Sequence, residues 1–315
     1  MAVINQKGLV IKSTGKWYIV RTNMGNDVRC SLAGKFRTQG LRSTNPIAVG
    51  DRIQFKPGND AEGNGTIVVI EERKNHIVRK ATRLSSSSHV LAANIDQAIL
   101  VVTPSQPRTS TGFIDRFLIS ANAFDIPVVI IFNKSDLYTL DDNNTIATLT
   151  TLYQKIGHSC LVTSALTGYG INELRSIMQD KVSMIAGHSG AGKSALINAV
   201  EPGLRIRTGD ISDANQKGRH TTTFAEMHPL SAGGFITDTP GIKEFGINSI
   251  EKREIAGYFP EFFALLHKCK YFNCSHIHEP GCAVKSALET GEISPSRYRS
   301  YLSIMNGEEF EEEHD

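Results

Sequence analysis

The run GHSGAGKS, Gly187 to Ser194, spaces its glycines so that a backbone can turn several N–H groups inward on a phosphate, and follows them with a lysine and a hydroxyl. Lys193 would supply a point charge for β- and γ-phosphates, and Ser194 an oxygen for Mg²⁺. The loop Gly187, His188, Ser189, Gly190, Ala191, Gly192, Lys193, Ser194 and Ala195 is expected to line a nucleotide; His188 stands at a variable position and is assigned no chemistry of its own. In NKSD (Asn133, Lys134, Ser135, Asp136) the Asp136 carboxylate can accept from two donors that guanine has and adenine lacks. Losing such a matched buried pair costs a factor of about 10⁴ to 10⁵ in discrimination, so GTP or GDP is expected over ATP. Asn133 would hold the base from its N7 side, the Lys134 stem would cover the ring, and Ser164 and Ala165 of the TSA segment would offer backbone N–H groups to guanine O6.

DTPG places Asp238 to reach Mg²⁺ through water and the Gly241 N–H to sense the γ-phosphate, and in RHTTT either Thr222 or Thr223 would ligate Mg²⁺. In the ordinary order of a GTPase the phosphate loop leads and the base-reading segments close the domain. Here NKSD and TSA come first, which makes this a circularly permuted GTPase domain. The position after DTPG, where Ras-like enzymes carry a water-orienting glutamine, holds Ile242, and an isoleucine cannot align water. Unaided hydrolysis should therefore be slow. His220 is the nearest polar candidate for positioning water or acting as base, against the plainer reading of a loop histidine that packs or binds a partner. Lys217 and Arg219 could meet nucleic-acid phosphate or transition-state charge alike.

A second chemistry is spelled by Cys269, Cys274, His276 and Cys282, in the form C-x4-C-x-H-x5-C. Three thiolates and an imidazole this close together fit a closed tetrahedral Zn²⁺ site of structural type, with His278 competing for one vertex. The total of five cysteines is odd, which argues for metal over a disulfide framework. Cys30 and Cys160 are expected to be buried small residues. Lys268, Lys270, Tyr271 and Phe272 offer a contact surface beside the cluster.

These residues need elements to hold them. A chain of 315 residues, 40% hydrophobic and 21% charged, suits several soluble domains, and no apolar run is long enough to span a bilayer, so a cytoplasmic protein without membrane contact is expected. GLVIKS, KWYIVRT, DVRCSL, DRIQFK and GTIVVIEE alternate like strands of a small closed barrel. Five strands and a basic balance suit an OB-fold, with an SH3-like barrel as the alternative. Residues 1–90 hold 15 Lys and Arg against 6 Asp and Glu, a charge drawn to phosphate backbones or simply solvated. The polar stretch from Arg79 to His89 reads as a connection. Beyond it, continuous apolar runs such as AILVVT and PVVIIF alternate with helical patterns, which reads as α/β with a mostly parallel sheet. After Gly246 the chain turns helical: Ser249 can cap one helix, another runs from Gly281 to Glu289, and Ser294-Pro295 starts a last one. Three parts follow: an RNA-binding barrel over 1–75, a permuted P-loop GTPase domain over 76–248, and a mainly helical zinc-binding domain with an acidic tail over 249–315.

The whole set, from about Gly8 to Tyr301, resembles the RsgA family of small ribosomal subunit biogenesis GTPases. The resemblance implies an OB-fold, a permuted GTPase domain and a zinc domain. It implies a role in late maturation of the 30S subunit, with that particle, its 16S rRNA and GTP or GDP as partners, and GTP hydrolysis stimulated by the subunit. One structural Zn²⁺, and Mg²⁺ with the nucleotide, are the implied cofactors, and the family's proposed catalytic histidine falls on His220. A monomer is expected. The alternative is an rRNA-binding scaffold in which nucleotide is only a structural ligand.

Overall fold

The computed structural model describes residues 5–14, 16–34, 36, 46–58, 63–79, 89–205, 226–238 and 250–307. They fall into two compact units, each assembled from separate stretches of chain.

The first unit begins with the barrel strands β1 (Gln6–Ser13), β2 (Tyr18–Thr22), β3 (Asp27–Leu32), β4 (Arg52–Lys56) and β5 (Gly65–Ile70). Strand β1 pairs with both β2 and β4, β3 runs parallel to β5, and β4 runs antiparallel to β5. This closed order, 1-2-3-5-4-1, is the Greek-key circuit of an OB-fold and decides against the SH3-like alternative. The alternation read from the sequence sends Val10, Tyr18, Val20, Cys30, Ile53, Phe55 and Ile67 into one core. Asp51 is fully buried at the barrel end, where Arg73 Nε donates to it at 2.7 Å.

Two short strands follow, β6 (His76–Arg79) and β7 (His89–Ala93), which pair antiparallel. Arg79 and His89, expected in a connection, are thus the paired ends of a two-stranded sheet, because each terminates an apolar run (Ile77-Val78, Val90-Leu91) long enough to build a ladder. The same unit holds the helix α3 (Ile171–Met178), strand β11 (Val182–Ala186), helix α4 (Lys193–Val200), β12 (Glu226–Pro229) and β13 (Phe235–Asp238). Strands β11 and β13 are parallel, whereas β12 runs antiparallel to β13 and, at Lys12↔Glu226, to barrel strand β1. Lys12 Nζ lies 2.8 Å from the Glu226 carboxylate at this seam.

The second unit contains most of β8 (Gln97–Val102), then α1 (Thr111–Asn122), β9 (Val128–Phe132), α2 (Leu140–Lys155) and β10 (Ser159–Val162). Strands β8 and β9 are buried throughout, as their uninterrupted apolar sequence demands, and β9 pairs in parallel with β10. Ser110 caps α1, and Thr139 with Asp142 forms a capping box on α2. The C-terminal segment adds a one-turn helix α5 (Pro260–Phe263), α6 (Ala283–Glu289) and α7 (Pro295–Asn306), with Ser294 as N-cap residue and Pro295 in the first turn of α7, as expected. Phe259, Phe262, Tyr301 and Ile304 form its core together with Ile119 from α1. Ser249 and the acidic tail lie outside the described residues. Among the described residues no helix is long and apolar enough to cross a membrane.

Candidate functional site

The phosphate loop sits where the sequence puts it, between the end of β11 and the start of α4. Gly187 and Gly192 adopt φ of 140° and 91°, a region that L side chains rarely enter. Neighbouring chain also excludes any side chain at these positions. A Cβ at Gly187 would collide with the Val101 carbonyl, and one at Gly192 would come within 2.5 Å of Asn133 Nδ2. Lys193 and Ser194 open α4 and are both buried.

The NKSD and TSA segments are locked to that loop and to each other by hydrogen bonds. Buried Asn133 donates from Nδ2 to the Ala191 carbonyl at 3.0 Å and accepts at Oδ1 from Thr163 Oγ1 at 3.1 Å. One side chain therefore joins NKSD, TSA and the phosphate loop. Asp136 accepts a short hydrogen bond from Ser164 Oγ, which in turn accepts from the Thr167 N–H at 3.1 Å. Lys134 takes a left-handed φ of 68° and donates from Nζ to the Gln106 carbonyl at 2.6 Å, with its Cε 3.7 Å from the Cβ position of Gly192. Ser135 follows it into a short 3₁₀ turn whose N–H donates to Thr163 O at 3.0 Å.

Two contributors carry no motif. Tyr138 donates its hydroxyl to the Asn133 carbonyl at 2.8 Å, and Phe113 of α1 lies 3.8 Å, ring centre to ring centre, from His188. Only proximity to NKSD could have pointed to the first, and nothing local to the second. The backbone of Asp238 ends β13; His220, Thr222, Thr223 and Gly241 lie outside the described residues.

The comparisons agree with this architecture. The family model for the RsgA GTPase matches residues 70–248, and that for the RsgA N-terminal domain matches residues 7–67. The chain belongs to the RsgA GTPase family. RsgA of Bacteroides fragilis strain YCH46, a small ribosomal subunit biogenesis GTPase, is 53% identical over 303 residues, covering 96% of this chain and 97% of the relative. RsgA of Flavobacterium psychrophilum is 50% identical over 306 residues, covering 96% and 93%. Among solved structures, YjeQ from Thermotoga maritima superposes with a TM-score of 0.81 at 38% identity, covering 96% of this chain and 98% of that one. YloQ, a circularly permuted GTPase, gives 0.77 at 30% identity, covering 96% and 95%. As an RsgA GTPase the chain is a GTP hydrolase, and Mg²⁺ accompanies the nucleotide in such enzymes.

The C-terminal cluster is equally compact. The ligand atoms of Cys269, Cys274, His276 and Cys282 all lie within 4.8 Å of one another. His276 Nδ1 is 3.6 Å from Cys269 Sγ and 3.4 Å from Cys282 Sγ. A zinc tetrahedron with its usual bond lengths sets nitrogen and sulfur about 3.5 Å apart, so the donor set fits this ion. His278, the competing candidate, is exposed and not part of the cluster. The loop bearing His276 is clamped from α7: Tyr298 donates to the His276 carbonyl and Tyr301 to the Ser275 carbonyl, each at 2.7 Å. Glu279 accepts from Ser275 N–H and Oγ–H and from the N–H groups of Ile277 and His278, which holds its carboxyl down at a pKa of about 2. Of the remaining cysteines, Cys30 is buried as expected, while Cys160 is only partly so; burial pushes their thiols up to about 12 and about 11, so neither is a reactive thiolate.

Proposed function

We propose that the chain binds the 30S ribosomal subunit, assists its late maturation, and hydrolyses GTP in response to that particle. The observation that supports this most directly is Asn133 bonded to both Ala191 and Thr163. It ties together the segments that this reading assigns to guanine and phosphate, although their order in the chain is rotated. In this reading Asp136, Ser164 and Ala165 read the guanine edge, with Ser164 aligning the Asp136 carboxylate, and the Lys134 stem covers the base. The backbone N–H groups of residues 187–195 and Lys193 hold the phosphates. Ser194, Thr222 or Thr223, and Asp238 through water would hold Mg²⁺, which shields phosphate charge when bound. Gly241 reports the γ-phosphate.

The names of the relatives support the ribosomal role, and the basic OB-fold supplies a surface suited to 16S rRNA. Cys269, Cys274, His276 and Cys282 hold one structural Zn²⁺, and the protein acts as a cytoplasmic monomer. With Ile242 unable to orient water, His220 positions the attacking water in the complex with the particle. The deciding experiment is GTP turnover with and without purified 30S particles. Strong stimulation is expected, and tight particle binding with no stimulation would favour the scaffold reading. His220→Ala should lower the stimulated turnover by about tenfold or more with nucleotide affinity little changed, whereas an unaltered stimulated rate removes His220 from the mechanism.

A further inference from the structure

Helix α1 touches the phosphate loop on one face and, on the other, the C-terminal segment that carries the cysteine cluster. Phe113 and Asp115 are two residues apart on this helix, about 200° around its axis, so their side chains leave on opposite faces. On one face the Phe113 ring lies against His188 with 3.8 Å between ring centres and 32° between planes. Aromatic pairs usually sit about 4.5 to 7 Å apart, so the two rings are in firm contact, and His188 belongs to the phosphate loop. The other face carries Asp115, Ile119 and Asn122, a stripe at i, i+4 and i+7 that docks on the C-terminal segment. Asp115 accepts from Arg297 of α7 at 2.7 Å, Ile119 enters the core of that segment, and Asn122 donates to the Tyr258 carbonyl at 3.0 Å.

The pair Asp115–Arg297 is 0% and 1% exposed, and Arg297 is held further by Glu261 at 2.6 Å and by the Phe259 ring at 4.5 Å. Helix α7 then grips the loop of the metal ligand His276 through Tyr298 and Tyr301. Every link from the phosphate loop to the cysteine cluster is therefore a direct contact between packed side chains or a hydrogen bond. Close-packed side chains transmit a displacement instead of absorbing it.

We propose that the Phe113–His188 contact couples the phosphate loop to α1, and that α1 and α7 tie the setting of that loop to the C-terminal segment that bears the cysteine cluster. This rests on the reading of residues 187–195 as the nucleotide site. Nucleotide that orders the phosphate loop stiffens the first turn of α1, and with it α7. By linkage, a partner that grips the C-terminal segment alters nucleotide affinity by the same factor.

Hydrogen exchange on the full-length, zinc-loaded protein with and without GDP and Mg²⁺ tests the connection. In the wild-type protein GDP should slow exchange at 187–195 and also at Pro295–Asn306. In Phe113→Leu the protection at 187–195 should persist while that at α7 falls by about threefold or more. His188→Ala, which leaves α1 intact, should do the same, and the double variant should add nothing, because both act through one contact. GDP-dependent protection of α7 that is absent in the wild-type protein, unchanged in Phe113→Leu, or lost additively in the double variant overturns the proposal. No protection at 187–195 in the wild-type protein would instead remove the nucleotide-site reading on which it rests.

Discussion

At the scale of single residues, the site is held by polar side chains that touch no base or phosphate. Tyr138 is one. Burial pushes its phenol well above the ordinary range, so it stays a donor to the Asn133 carbonyl. Tyr138→Phe removes only that hydrogen bond, worth about 1 kcal/mol, and should raise KM for GTP by about three- to tenfold with kcat unchanged, as read from steady-state kinetics. His158 is another buried polar group, whose Nε2 has no hydrogen-bond partner among the described residues. Burial, and then the charge of Arg297, lower its pKa to about 4, so the folded state keeps it neutral. Below pH ~6.5 the unfolded chain takes up this proton while the folded chain does so only near pH 4, so stability falls across that window and levels off beneath it. The loss is at most ~3 kcal/mol. Urea unfolding of His158→Gln should show a shallower pH dependence over the same window; a parallel one would acquit His158. That NKSD, TSA and the loop 187–194 would meet was legible in the sequence, because residue types at this spacing point to one site. Tyr138, Phe113 and Arg297 were not, since any packed donor, ring or cation could fill their places.

Among the elements, those with a strong period were readable and those defined by their neighbours were not. Strands β8, β9 and β11 declare themselves by apolar runs, and α7 by Ser294-Pro295. By contrast β6 and β7 are short, and β12 is four residues with a proline, a segment that is a strand only because β13 and β1 pair with it. The Asp115–Arg297 pair joins elements 182 positions apart, a separation at which no local pattern operates. Arg297→Met should destabilise the protein by about 3 kcal/mol or more, because Asp115 is left buried without its cation. Arg297→Lys should recover only part, since an ammonium cannot span Asp115 and Glu261 with a fork. Urea midpoints at fixed zinc content measure both.

At the scale of the whole molecule, the cysteine cluster sits beside a hydrophobic core and packs against it. The segment 250–307 has an apolar centre that includes Ile119 of α1 and is packed against by Cys269 and Cys274, with Cys282 inside it. If the cluster holds zinc as proposed, three of its ligands are part of this packing, and removing the ion should cost up to roughly 10 kcal/mol of folding free energy and loosen this segment. Circular dichroism during chelation should show a loss of helix that zinc restores and magnesium does not; retention of full helicity would show that the core suffices alone. The succession of barrel, permuted GTPase and metal cluster was legible because each announces itself chemically. The strand circuit of the barrel was not, because five alternating strands fit more than one closed order until β1 is seen to pair with β4 and β3 with β5.

The ion pair between α1 and α7 also bears on how the protein is made. Asp115 leaves the ribosome long before Arg297, so the nascent chain carries an unmatched carboxylate, and a half-built apolar surface at Ile119, until nearly its last helix emerges. A product cut short by premature termination never acquires the guanidinium that completes this seam. Such fragments stay loose, and proteases can clear them before they compete with finished molecules for guanine nucleotide.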